Sequence, residues 1–208
     1  MMRRLMFAGL LAAALGGCAS PPSRFYGLDA VAAPQAPAQF GKRVMVGPVT
    51  LPAALDRPQL VLDMGKGELR LQEFERWSAP LDRLLAQNLA AGVAAASGVA
   101  SVYAYPQPGM DGGELRYALD LRRLSLKAGQ GVAMRAAWQL QRLSDGAVLA
   151  SGVFERESLL AGADTPALLA AWRSMLSGLA AEMAQPLRQH PQWWRADGEP
   201  SPQPQPQP

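Results

Sequence analysis

A chain of 208 residues with a formal net charge of +3, one cysteine and one histidine has room for one domain with a sizeable core. The first 17 residues contain Arg3 and Arg4 and no acid, so beyond them the basic surplus falls to one, which argues against a nucleic-acid partner. A single cysteine excludes an intramolecular disulfide, and the lone histidine, His190, beside Pro191 and outside any apolar pattern, reads as a surface residue.

Residues 1–20 read MMRRLMFAGLLAAALGGCAS. Two arginines precede an apolar and small-residue run from Leu5 to Gly17 that is too short to cross a bilayer, the pattern of a secretory signal peptide over residues 1–17. Leu15-Gly16-Gly17-Cys18 is similar to the lipobox of bacterial lipoproteins. That likeness implies removal of the signal, diacylglycerol on the Cys18 sulfur and an N-acyl chain on its new terminus. No other cofactor is expected. Ala19 in place of aspartate offers no inner-membrane retention signal, which favours the outer membrane with the domain in the periplasm. Nothing after Cys18 has the length of a spanning helix.

Residues 18–39 read as the lipidated cysteine, a stalk and an Ala/Pro/Gln linker. Residues 40–195 carry the domain. Lys42–Val49 is a strand candidate, and Val61 with Leu62 a second. Gly65-Lys66-Gly67 reads as a turn, and Leu69 and Leu71 alternate with polar residues ahead of Phe74 and Trp77. A helix is predicted from an N-cap at Ser78, with Pro80 and Asp82 in its first turn, an apolar stripe Leu81, Leu84, Leu85, Leu89 and Val93, and a stop at Ser97-Gly98. Val99–Tyr105 reads as a strand. A β-meander follows, with Leu115, Tyr117, Leu119 and Leu121 on one face and a phase shift at Arg122-Arg123 that predicts a bulge. Val132, Met134, Ala136, Trp138 and Leu140 share a face of the next strand, Ser144-Asp145-Gly146 is a turn, and Phe154 belongs to the returning strand. Thr165-Pro166, a cap followed by a proline at the first helical position, predicts the start of a second helix whose broad apolar face includes Leu168, Trp172, Leu176 and Met183. Residues 196–208 end in a Pro/Gln repeat that cannot bury a core and reads as a disordered tail. The order predicts an α/β single domain: a mixed β-sheet with a β-meander and two packed amphipathic helices.

Catalytic chemistry is missing from this pattern. There is no Gly-x-Ser-x-Gly, no Walker-type glycine loop and no His/Cys cluster with metal-ligand spacing. The acids Glu73, Glu75 and Asp82 surround Arg76 and Arg83 as a charge-mixed, solvated face. The expectation is no enzyme, no catalytic residue and no metal.

Val46-Gly47-Pro48-Val49-Thr50-Leu51-Pro52, Leu55-Asp56-Arg57-Pro58-Gln59-Leu60-Val61, Glu73-Phe74-Glu75-Arg76-Trp77 and Pro80-Leu81-Asp82 resemble the PqiC/YmbA family of ABC-type transport auxiliary lipoproteins. Phe25-Tyr26-Gly27-Leu28 resembles that family's aromatic motif after the lipidated cysteine, with Gly27 in place of a small polar residue. The motifs lie in the first half of the mature chain; the meander and last helix agree in order more than in motif. The resemblance implies an outer-membrane accessory of an intermembrane lipid transport system, whose partners are a periplasmic MCE-domain protein and its inner-membrane transporter. Homo-oligomerisation stays open. Two other readings stand beside it: an outer-membrane assembly or lipopolysaccharide-transport lipoprotein, and a cell-wall enzyme activator. Asp56, Arg57, Pro58 and Trp77 are the candidate partner-binding residues. Pro58 biases Arg57 toward extended backbone, and Arg57 over the Trp77 ring would instead tie the loop to the first helix.

Overall fold

The computed structural model describes residues 21–28, 41–109, 112–162 and 164–195. Cys18, most of the linker and the Pro/Gln tail lie outside the described residues. The elements in order are β1 (Arg24–Tyr26), β2 (Val44–Thr50), β3 (Gln59–Gly65), β4 (Glu68–Trp77), α1 (Leu81–Ser97), β5 (Val102–Ala104), β6 (Leu115–Lys127), β7 (Gly131–Arg142), β8 (Val148–Leu159), α2 (Thr165–Gln189) and a short 3₁₀ turn at Pro191–Trp193. The class is α/β with the expected meander and two helices. The strands divide into two sheets rather than one: five strands in the order β5-β2-β6-β7-β8, and three in the order β1-β4-β3.

The five-stranded sheet follows from alternation. β2 runs parallel to both β5 and β6, while β6, β7 and β8 form the antiparallel meander. Leu115, Tyr117, Leu119 and Leu121 are buried on the helix side. The register then shifts between Leu121 and Arg123, as the doubled arginine predicts, and Leu126 returns to the buried side opposite Val132. Helix α1 lies over β2 and β5, and α2 over β7 and β8. The helices also pack on each other, at Gly92 so closely that an added Cβ would stand 2.6 Å from that of Ala180. Trp172 is fully buried, donates its indole N–H to Met134 Sδ at 3.1 Å and meets the Trp77 ring edge-on at 5.6 Å. Burying such a side chain contributes about 1.5–3 kcal/mol relative to leaving it exposed, so this face of the sheet holds most of the stability.

Both helix starts differ from expectation. Pro80 occupies the N-cap of α1 and has no polar side chain to cap with, while Ser78, two residues earlier, donates its amide to the Tyr26 carbonyl at 2.8 Å. In α2 the cap is Asp164, whose Oδ1 accepts from the Ala167 amide at 3.0 Å. Thr165 is free of that task and donates its hydroxyl to Glu75 at 2.8 Å. The α1 C-terminus is as predicted: Gly98 adopts the left-handed conformation and its amide bonds Ala94 O.

The three-stranded sheet fills a gap. β2 pairs with β6 only as far as Asp120, and the β3–β4 hairpin packs beside β6 beyond that point. Asp63 fastens it there, accepting from Ser125 Oγ at 2.5 Å and standing 3.9 Å from Lys127 Nζ. Burial raises the Asp63 carboxyl, but Ser125, the Gly65 amide and Lys127 outweigh it and hold it below its ordinary value. Residues 24–28, read from sequence as part of the stalk, belong to the fold. β1 pairs in parallel with Glu75–Trp77, and Leu28 is buried. At the other end Trp194 is buried and donates to Leu187 O, while its own carbonyl accepts from the Lys42 amide at 2.6 Å.

Candidate functional site

The loop between β2 and β3 folds tightly on itself. Leu55 N–H donates to Pro52 O at 2.8 Å, Arg57 N–H to Leu55 O at 2.9 Å, and Leu55 is buried. The Trp77 amide donates to Pro58 O at 2.8 Å, so the loop is joined to the end of β4 through backbone. The cation–π pair does not form. The Trp77 ring is 6% exposed and lies against Trp172, leaving no face for Arg57. Asp56 and Pro58 are exposed, and Arg57 is half-buried with a Nε that finds no hydrogen-bond partner. The structure therefore brings Pro58 and Trp77 together, keeps Asp56 and Arg57 at the surface, and makes Trp77 a buried support. Cys18 lies outside the described residues.

A second surface has no counterpart in the sequence motifs. Both helices cover the same side of the five-stranded sheet. On the opposite side the polar phase of the meander meets β2 in a groove of about 420 Å³ lined by Pro48, Thr50, Ala118, Ala137, Ser151 and Val153. Ala118 and Ala137 on its floor carry only methyl groups, which leaves the space between their larger neighbours open. At its rim Arg122 Nε bonds Asp120 Oδ2 at 3.0 Å. These positions look unremarkable one strand at a time; only the cross-strand register assembles them.

Glu75, read from sequence as part of a solvated face, is a junction. It accepts from Tyr26 Oη at 3.2 Å and Thr165 Oγ1 at 2.8 Å, and Arg24 stands 3.8 Å away. Burial, followed by the Glu75 charge, raises the Tyr26 hydroxyl pKa. Burial alone pushes the Tyr117 hydroxyl far above its ordinary value, and that hydroxyl donates to Met183 O. These groups are spent on holding segments together. Among the described residues no three His, Cys, Asp or Glu side chains converge on a metal position, and no helix is long and apolar enough to cross a membrane. The geometry offers surfaces for binding.

No curated protein matches the chain. Solved structures share its fold. A Xanthomonas campestris protein of the DUF330 family has a TM-score of 0.64 at 21% identity, covering 82% of this chain and 99% of its own. An uncharacterised protein has a TM-score of 0.61 at 17% identity, covering 79% and 98%. The PelC dodecamer of Paraburkholderia phytofirmans is more distant, with a TM-score of 0.41 at 18% identity over 72% of this chain and 92% of its own. At these identities the likeness to the first two is one of fold alone. The signature of the ABC-type transport auxiliary lipoprotein component matches residues 26–184, from β1 through most of α2. The chain belongs to the ABC-type transport auxiliary lipoprotein family.

Proposed function

We propose that this chain is the outer-membrane accessory of an MCE/ABC-type intermembrane lipid transport system. In this reading the acyl chains on Cys18 hold it at the outer membrane. Its periplasmic domain receives the far end of a lipid conduit, built by an MCE-domain protein that is fixed with its transporter at the inner membrane. Family membership over residues 26–184 carries the reading. Two features support it. A docking component needs area more than a reactive centre, and the open face of the five-stranded sheet supplies area. The loop around Asp56, Arg57 and Pro58 is held by its own hydrogen bonds and by Trp77, which lowers the ordering cost of binding. Asp56 and Pro58 stand exposed on that loop, where a partner can reach them.

Capture of the MCE-domain protein encoded in the same gene cluster, using the full lipidated chain as bait, tests the proposal. Arg57→Ala should weaken capture about tenfold, equivalent to about 1.4 kcal/mol, with the thermal transition unchanged. A chain that unfolds on this substitution would assign Arg57 to structure. Failure of the parent chain to capture the partner would remove the function.

A further inference from the structure

Nine large apolar side chains stand exposed among the described residues, and five of them belong to the small three-stranded sheet: Phe25, Met64, Leu69, Leu71 and Phe74. Tyr26, Glu75 and Trp77 face α2, as the Glu75–Thr165 bond and the Trp77–Trp172 contact require. Strand alternation then turns Phe25 and Phe74 to the outside, with Arg76, the register partner of Phe25, between them. Phe25 is 66% exposed and Phe74 42%. Beyond them β4 runs out to the hairpin turn with Leu69 at 48% and Leu71 also exposed, so the apolar positions follow a strand about 33 Å long. The charges around them are Lys66, Arg70 and Arg76 with Glu68 and Glu73, while Arg24 and Glu75 are register partners that pair on the side facing α2.

The covalent chain limits how far this sheet can stand from the anchor. Six peptide links join Cys18 to Arg24, and at about 3.3–3.6 Å per residue they reach at most about 22 Å. Phe25 is the next residue. The geometry points to a bilayer contact: the exposed side of the three-stranded sheet rests on the membrane that holds Cys18. Phe25 and Phe74 enter the boundary between headgroups and acyl chains, and Leu69 and Leu71, the register partners of Asp63 and Val61, lie along it. Arg76 lays its apolar stem beside these rings and reaches phosphate oxygens with its guanidinium group. A weak surface suffices, because the tether holds it at high local concentration. This inference rests on Cys18 as the lipidated residue and goes beyond the transport reading, which requires no contact between domain and bilayer.

Cys18 is the sole cysteine, and its sulfur is consumed by the thioether, so one added thiol gives a unique label. Full-length lipidated chains carrying Leu71→Cys, Phe74→Cys or, on the other sheet, Val153→Cys would be labelled with an environment-sensitive fluorophore. They would then be placed in vesicles of phosphatidylethanolamine and phosphatidylglycerol whose acyl chains bear nitroxide quenchers. The expected result is quenching at positions 71 and 74 at least threefold stronger than at 153. Equal quenching at all three positions, in protein that floats with the vesicles and carries the acylated terminus by mass spectrometry, would overturn the membrane contact and leave the lipoprotein reading intact. Labels at 71 and 74 shielded from aqueous quencher but untouched by the lipid quencher would assign the patch to a second copy or a protein partner, which also overturns it. An unmodified terminus would remove both readings together.

Discussion

Strands β7 and β4 are both long, and they solve the problem of burial in different ways. β7 alternates along most of its length, with Val132, Met134, Ala136, Trp138 and Leu140 buried beneath the helices and the residues between them partly or fully exposed. β4 is exposed from Glu68 to Leu71 on both of its sides and becomes buried only at Trp77, where α2 begins to cover it. A helix layer behind a strand makes one face apolar and draws stability from area. A strand without that layer depends on ladder bonds and a few polar ties, here Asp63 to β6 and Glu75 to α2. The stability of this molecule should therefore be uneven, high in the helix-backed sheet and low in the hairpin arm.

Four substitutions or conditions sharpen or break that contrast. Trp172→Ala removes a fully buried ring and leaves the Met134 sulfur and the Trp77 edge facing a void; denaturant unfolding should show a loss of about 3–5 kcal/mol. Gly92→Ala should cost about 1–3 kcal/mol, because the new methyl meets Ala180 and the helices must part. A neutral or stabilising result there would mean that helix contact is looser than its geometry. Asp63 supplies a smaller effect of about 1 kcal/mol, confined to the hairpin. Its carboxyl is held below the ordinary value near 3.9, so its stabilisation is complete above that pH and is lost as pH falls through the lower folded-state value. Hydrogen exchange at the β3 amides should accelerate over that acid interval in the parent chain, while Asp63→Asn should exchange fast throughout. The smallest effect belongs to Phe74→Ser, within about 0.5 kcal/mol in detergent-solubilised protein, since that ring is already 42% exposed and has little cover to lose. A loss of 2 kcal/mol there would show that the arm is packed after all.

What the sequence displays follows the same division. The meander, its bulge at Arg122-Arg123 and the stripes of both helices are legible because each element repeats its own period against one buried side. The caps are misread for a tertiary reason. Ser78 and Thr165 are good capping residues by local preference, but the Ser78 backbone is held by Tyr26 two residues ahead of the Pro80 cap, and the Thr165 hydroxyl is taken by Glu75. β1 is three residues long and cannot show periodicity; its place is fixed by pairing with β4 and by Leu28. The loop at Asp56-Arg57-Pro58 is identifiable as a stiff turn, whereas its tie to Trp77 runs through the backbone, which no side-chain pattern reports. The groove over Ala118 and Ala137 is invisible until four strands are set in register.

The position of β1 has a mechanical consequence. Any pull on the chain preceding Arg24 enters the folded body through this strand, since nothing earlier is paired with it among the described residues. Parallel strands drawn lengthwise past each other strain their rungs together, whereas a hairpin pulled open at one end breaks them one after another. Arg24, Phe25 and Tyr26 share the force across β4. Behind them Ser78 N–H holds Tyr26 O and Arg173 holds Gly27 O, both at 2.8 Å, and Leu28 is wedged in the core. Three residues of strand thus act as a shear joint between whatever secures the amino terminus and whatever tugs on the domain.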